Sequence, residues 1–455
     1  MSLVVHELCG TAVFLMTFAT VVAGSEFLAR RNSVSAETSR KAVHLLGGLI
    51  CLFFPLLLNS WISVLVIAIG TAFVLYGGER SGVLKCLGGV QRKSRGSLYF
   101  PLAVLLFFVL GKDRLWLYVS GLLVLVFADT AAALAGTHFG KIHYRTGPNQ
   151  QKSLEGTLAF MAMAFLSIYL PLEFLGGNIG HAACFLSALL LAILLAGFEA
   201  ISIGGTDNIF VPVATCYLLL KVTDKAPQEI LFQCVSLVGV AILLVKINNR
   251  RRTFTTRPQI IFLLFLYAAW SLGSADWMLP VITGFVIYQM VTKSCDALWA
   301  DLGARELLRP MFPLLIILFV ANITMEHDFW FAPFLTAVAV TAALCAESRF
   351  LSDEPIRRLR GRALLCVALL PTLIPLLLCL PFQGFVAIRA LPVLLIISIS
   401  FVYIYNWSVR IPVNPVMINY SMPLVAAAAG VVCALFQVWG ILEPLNPVTW
   451  AEVFR

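Results

Sequence analysis

"FADTAAALAGTHFGKIHYRTGPNQQKSLEGTLAF" (Phe127–Phe160) sets two apolar runs on either side of a polar connection. It reads as helix, loop, helix. Asp129 lies inside the first run, and Lys141, Arg145 and Lys152 lie in or beside the connection. A carboxylate at membrane depth costs about 2.5 kcal/mol or more unless it is paired, so Asp129 calls for a function. The rest of the chain explains the setting: 455 residues are 60% hydrophobic and only 12% charged. Soluble proteins are roughly half apolar and about one quarter charged. The excess exceeds what a soluble core absorbs, and the composition predicts an all-α, polytopic membrane protein.

Leu8 to Ala29 lacks the basic start and small-residue cleavage site of a signal peptide and reads as a retained spanning helix. The eleven cysteines lie mostly in apolar segments without CxxC or Cys/His spacing. Neither a disulfide framework nor a zinc site is expected. The net charge of +9 is explained by basic connections between helices rather than by a nucleic-acid partner.

Segments of spanning length number about sixteen on a hydropathy reading. Basic clusters at Arg30–Lys41, Arg80–Arg95, Lys141–Lys152, Lys246–Arg257, Arg305–Arg309 and Arg349–Arg362 alternate with poorly basic turns. The positive-inside rule then places the basic connections in the cytoplasm and both termini on the other side. "KINNRRRTFTTRP" (Lys246–Pro258) is the longest basic connection. It divides a first domain, 1–250, from a second transmembrane domain, 251–455, with no internal repeat between them.

Asp129, Ala133, Gly136 and Gly140 share one helix face, and "GTHFG" has the spacing of close helix packing. Four other stretches put polar groups at the same membrane face. "RKAVHLLGG" brings Arg40, Lys41 and His44. "SRGSLYF" brings Arg95, Gly96 and Tyr99, and "QKSLEGTLA" brings Lys152, Ser153 and Glu155. "GFEAISIGGTDNIFVPVAT" brings Glu199, Asp207 and Asn208. Glu199 reads either as a snorkelling end residue or as a site acid, and Asp207 or Asn208 as a helix N-cap. Bases beside helix N-termini suit phosphates. Carboxylates with Asn suit Mg²⁺, which usually bridges to substrate phosphates. Phosphoryl transfer asks for this kind of positioning and charge neutralisation. No P-loop and no protein-kinase motif set is present.

This ordered set resembles the CTP-dependent lipid-alcohol kinases, namely the dolichol kinase and phytol kinase family together with the diacylglycerol kinase that uses CTP. The resemblance rests on Arg40–Lys41 with His44, "RGSLY" at 95–99, and the acid, small residues and GxxxGK of 129–141. "KSLEG" at 152–156 and Glu199 with "DN" and a proline at 207–212 complete it. It covers about the first half of the chain. Thr130, Ser97 and Thr206 depart from the family pattern, and Thr206 stands where an acid is common.

The resemblance implies CTP as phosphoryl donor and a lipid alcohol as acceptor. Asp129 and Asp207 would bind Mg²⁺ or position the hydroxyl. Lys152 would grip the nucleotide phosphates with Lys141, Arg145, Ser153, Arg95 and Lys41, while Glu199, Asn208, Glu155 and His44 support them. Two other classes remain open: a CTP:lipid-phosphate cytidylyltransferase, and a transporter or flippase whose acids couple to ions. A prokaryotic cytoplasmic membrane is expected, with an organelle membrane as the alternative. "TKSCDALWADLGARELLRP" (Thr292–Pro310), with Asp296, Asp301, Arg305 and Glu306, reads as a charged interfacial loop. The role of 251–455 and the oligomeric state are left open.

Overall fold

The computed structural model describes residues 3–31, 36–81, 84, 96–147, 150–202, 205–251, 256–291, 304–352, 369–370, 372–374, 377, 385–409 and 415–445. The chain divides into two compact units, Met1–Val238 and Gly239–Arg455. Arg95 and the 292–303 part of the charged loop lie outside the described residues.

The first unit holds α1 (Leu3–Arg30), α2 (Ala36–Cys51), a single turn α3 (Phe54–Leu57), α4 (Trp61–Arg80), α5 (Gly96–Gly111) and α6 (Leu115–Leu123). A π-helical turn, Val124–Ala128, joins α6 to α7 (Asp129–Phe139). After the hairpin β1 (His143–Gly147) and β2 (Gln150–Ser153) come α8 (Leu154–Leu175), α9 (His181–Ile201) and α10 (Asp207–Val222). The division between the units falls inside α11 (Pro227–Arg251). The second unit continues with α12 (Thr256–Leu272), α13 (Ala275–Val291), α14 (Ala304–Thr324), α15 (His327–Ser352), α16 (Phe385–Val409) and α17 (Pro415–Val438).

The protein is an all-α membrane protein, with that hairpin as the one β element among the described residues. Among the described residues, nine helices are long and apolar enough to cross a membrane. Prolines inside α5, α8 and α10 (Pro101, Pro171, Pro212) do not end them, since neighbouring helices in a bundle re-satisfy the freed backbone groups.

The core of the first unit is built from aromatic and branched side chains, among them Phe54, Phe107, Tyr118 and Leu122, all nearly inaccessible. Gly121 is required here: a Cβ would fall 2.2 Å from the Phe107 ring. Buried Tyr118 satisfies its hydroxyl on the Cys51 carbonyl, which pins α6 to the end of α2. In the second unit Trp277 is fully buried against Phe331 and Phe334 of α15, and Gly273 lies directly against its indole.

The expectation of a simple polar loop after "GTHFG" is corrected. Residues 143–153 form an antiparallel hairpin with Tyr144 opposite Lys152 and Arg145 opposite Gln151. Gly147 closes β1, and the Pro and Asn that follow it in the sequence are residue types that favour turns.

Candidate functional site

Asp129 opens α7 directly after the π-helical turn. Such turns are rare inside α-helices and frequent at functional sites. Its carboxylate receives the ammonium of Lys41 from α2, which also donates to the Asp129 carbonyl at 3.4 Å. One helical turn further along α2, His44 Nε2 lies 3.0 Å from the Leu125 carbonyl and 3.7 Å from Asp129 Oδ2. A carbonyl only accepts, so Nε2 carries the proton. The other side of the imidazole meets Phe100, with ring centroids 4.5 Å apart. Arg40 is close enough for its charge to act on Asp129.

The second ion pair joins the hairpin to α9. Lys152 donates to Glu199 Oε1 at 2.6 Å and also to the Glu199 carbonyl. Glu199 is only 8% exposed, which removes the snorkelling reading, because its carboxylate points into protein. Glu199 Oε2 is buried without a hydrogen-bond partner. Asp129 and Asp207 are both close enough to act electrostatically on Glu199, so three carboxylates and two lysines converge in the first unit.

Asp207 begins α10 and its Oδ1 accepts the Asn208 N–H at 3.1 Å. The N-cap position belongs to Thr206, which makes no side-chain cap bond. The expected cap is therefore replaced by an acid in the first turn, where the helix dipole favours negative charge. Among the described residues Asp207 has no ion-pair partner. Asn208 is buried beside it.

Other expected residues serve the scaffold in this structure. Ser153 caps α8, its Oγ accepting the Gly156 N–H at 3.1 Å. It is also wedged against α7: a Cβ on Gly136 would come within 3.0 Å of Ser153 Oγ. Glu155 accepts the Ile142 N–H at the hairpin's base, at 3.2 Å. Lys141 is exposed, and Arg145 lies in β1.

Tyr144 escaped the sequence reading. Its hydroxyl meets Thr157 Oγ1 at 2.6 Å, tying β1 to α8. Burial pushes its phenol up to about 12; the Thr157 bond opposes that shift and the Glu199 charge adds to it. Alternation over strands of five and four residues is too weak to have singled it out in the sequence.

Among the described residues no group of three or more His, Cys, Asp or Glu side chains is gathered to hold a metal. Among the described residues there is therefore no all-protein cage. The unpartnered Glu199 Oε2 and the unpaired Asp207 do fit Mg²⁺, which is commonly bound through one or two carboxylates plus substrate phosphates.

The chain is 33% identical over 207 residues to the phytol kinase of Synechocystis sp., covering 44% of this chain and 84% of that protein. It is 27% identical over 209 residues to the probable chloroplastic phytol kinase 1 of Glycine max, covering 41% of this chain and 68% of that protein. No protein-family model matches the chain, and no solved structure does.

Proposed function

The chain belongs to the phytol kinase family, and from that premise we propose that it transfers the γ-phosphoryl group of CTP to the hydroxyl of an isoprenoid alcohol. The observation that carries the reading is the convergence of Lys41–Asp129 and Lys152–Glu199 beside Asp207. A lysine ammonium has three N–H donors. Each of these two lysines gives two to its acid partner, which leaves one for a phosphate oxygen. The nucleotide then lies across Lys152 and Lys41, with exposed Lys141 at its polar edge.

Asp129, held by Lys41 and flanked by His44, orients the substrate hydroxyl and takes its proton. The alcohol oxygen bonds to the γ-phosphorus as the bond to CDP breaks. Asp207 and Glu199, with Asp129 beside them and Asn208 in support, are the residues to hold Mg²⁺, which when bound neutralises phosphate charge. Ser153 and Glu155 keep the hairpin and α8 in register under the phosphates.

The basic connections put this site at the cytoplasmic face of a bundle of about sixteen spans with both termini outside. Residues 1–250 form the kinase domain, 251–455 a second transmembrane domain, and the membrane is a prokaryotic cytoplasmic one. The testing experiment supplies γ-labelled CTP and a pool of lipid alcohols to the protein in vesicles, beside Asp129→Asn. Label in the lipid fraction, absent in the variant and abolished by a chelator, supports the reading. Label released only as pyrophosphate, when lipid phosphates are added, replaces it with a cytidylyltransferase. No transfer with any nucleotide by folded protein overturns it.

A further inference from the structure

We propose that His44 is a positioning residue: it holds the π-helical turn at Val124–Ala128 in place, and the turn aims Asp129 into the site. The geometry stands apart from the reaction, and its consequence for catalysis rests on the kinase reading above.

α2 offers Lys41, His44 and Gly48 to the segment around Asp129. Spacings of three and four put all three on one face of the helix. Lys41 takes the Asp129 carboxylate and its carbonyl. His44 donates from Nε2 to the Leu125 carbonyl at 3.0 Å. Gly48 stands against Val126, whose side chain fills the space that a Cβ at 48 would need. One helix face thus grips the turn at three successive points. The missing side chain at 48 lets the two helices come close enough for the histidine to reach.

The turn needs such a grip. Passing from i→i+5 pairing back to i→i+4 pairing skips one carbonyl, and a buried carbonyl left over is costly. Two carbonyls of the turn are taken by side chains: that of Leu125 by His44, and that of Val126 by Thr130 Oγ1 at 2.7 Å. Thr130 reaches four residues back within its own helix, as it could in any α-helix. His44 comes from another helix, and so fixes where the turn lies. Phe100 of α5 backs the imidazole, with ring centroids 4.5 Å apart, and holds the ring in that direction.

What the turn does follows from helix geometry. It carries one residue more than an α-helix needs, and one residue is about 100° of rotation. An uninterrupted helix continuing α6 would turn Asp129 by about that angle away from Lys41. In the structure Asp129 meets Lys41 and lies beside His44. With its Nε2 proton given to Leu125, the imidazole acts on Asp129 through the backbone rather than as its partner in proton transfer.

The test replaces His44 by Gln, Asn and Leu in the full chain and measures transfer from γ-labelled CTP to a lipid alcohol in vesicles. A Gln amide N–H overlays the Nε2 position, an Asn amide overlays Nδ1, and Leu has no donor. His44→Leu and His44→Asn lower kcat roughly 10²-fold, the loss expected when a reacting group is displaced by about 1 Å. KM for CTP stays within about threefold of wild type, because the lost interaction belongs to the reaction step. His44→Gln recovers most of kcat. Equal kcat in the Gln and Asn variants, wild-type kcat in His44→Leu, or a loss confined to KM for CTP overturns the inference. If His44→Leu does not fold, the comparison of Gln with Asn decides. No lipid phosphate from wild type overturns the kinase reading instead, and the geometry is then decided without activity. A Lys41→Cys/Asp129→Cys pair is treated with a short bifunctional thiol reagent and the product mapped by peptide mass. Most of the cross-link is lost when His44→Asn is added and kept when His44→Gln is added. The same yield with and without the donor overturns the inference.

Discussion

Lys152, the penultimate residue of β2, donates at once to the side chain and the main chain of Glu199, 47 positions further along the chain. The hairpin is thereby fastened to the C-terminal end of α9. The same contact fixes the amine that the proposed reaction needs at a phosphate. Removing either partner leaves the other charged and buried, whereas removing both leaves no stranded charge.

Lys152→Met alone is therefore expected to destabilise the protein by about 3–5 kcal/mol. The double variant Lys152→Met/Glu199→Leu recovers most of that loss. Thermal unfolding of purified protein in detergent measures both. Activity separates the two roles: it is lost in the single and the double variant alike. Recovery of activity along with stability would show that Lys152 serves only the fold.

Asp129→Asn keeps the size of the side chain and removes its charge. Lys41 then loses its ionic partner but retains the backbone carbonyl at 3.4 Å, so the fold is expected to survive. Phosphoryl transfer should fall by roughly 10²–10⁴-fold, the usual worth of a positioned acid or base. A steady-state assay on the alcohol checks this. A change confined to KM for CTP would move Asp129 from the reaction centre to nucleotide binding.

The glycines of α7 and α8 make a steric prediction. A Cβ on Gly156 would fall 2.9 Å from the Ala132 carbonyl oxygen and 3.0 Å from Ser153 Oγ. Gly156→Ala should thus cost about 1–3 kcal/mol, as overpacking does. Gly70, inside α4 with nothing within 4 Å of its missing Cβ, is expected to gain about 0.5–1 kcal/mol on replacement by Ala. The difference in melting temperature between the two variants is the measurement. A neutral Gly156→Ala would place the helices further apart than they are here.

Helical class and membrane setting were legible because burial in lipid leaves a direct trace in composition, and every apolar run is contiguous. Asp129, Lys152, Glu199 and Asp207 were legible as candidates because charge in such a chain is scarce. Their partners were not. Lys41 and Asp129 are 88 positions apart, and a single sequence does not say which lysine meets which acid. Glu199 shows the difficulty: a helix-end glutamate looks the same whether it snorkels or points inward. The hairpin was missed for a local reason. Its strands are only five and four residues long, too short for alternation to stand out from a polar loop. The role of Ser153 as cap and wedge was hidden behind its place in "KSLEG".

Tyr144 makes the pH prediction. Its phenol is pushed from 10.0 up to about 12 in the folded protein, chiefly by burial. A raised value means that the folded state keeps the proton longer than the unfolded chain does. The stabilisation is then complete below pH 10, declines from pH 10, and is gone once the pH has passed about 12. Tyr144→Phe removes this titration, and with it the hydrogen bond to Thr157, worth about 1 kcal/mol. Wild type should accordingly be the more stable protein at neutral pH, and its advantage should shrink as the pH rises from 10 to 12 while other tyrosines cancel in the difference. Thermal unfolding of both proteins across that range is the check. A constant gap would mean that Tyr144 is not held as a buried neutral phenol against α8. Because Tyr144 stands directly opposite Lys152 in the hairpin, the same variant should raise KM for CTP more than it lowers kcat, loosening the grip on the nucleotide rather than the chemistry.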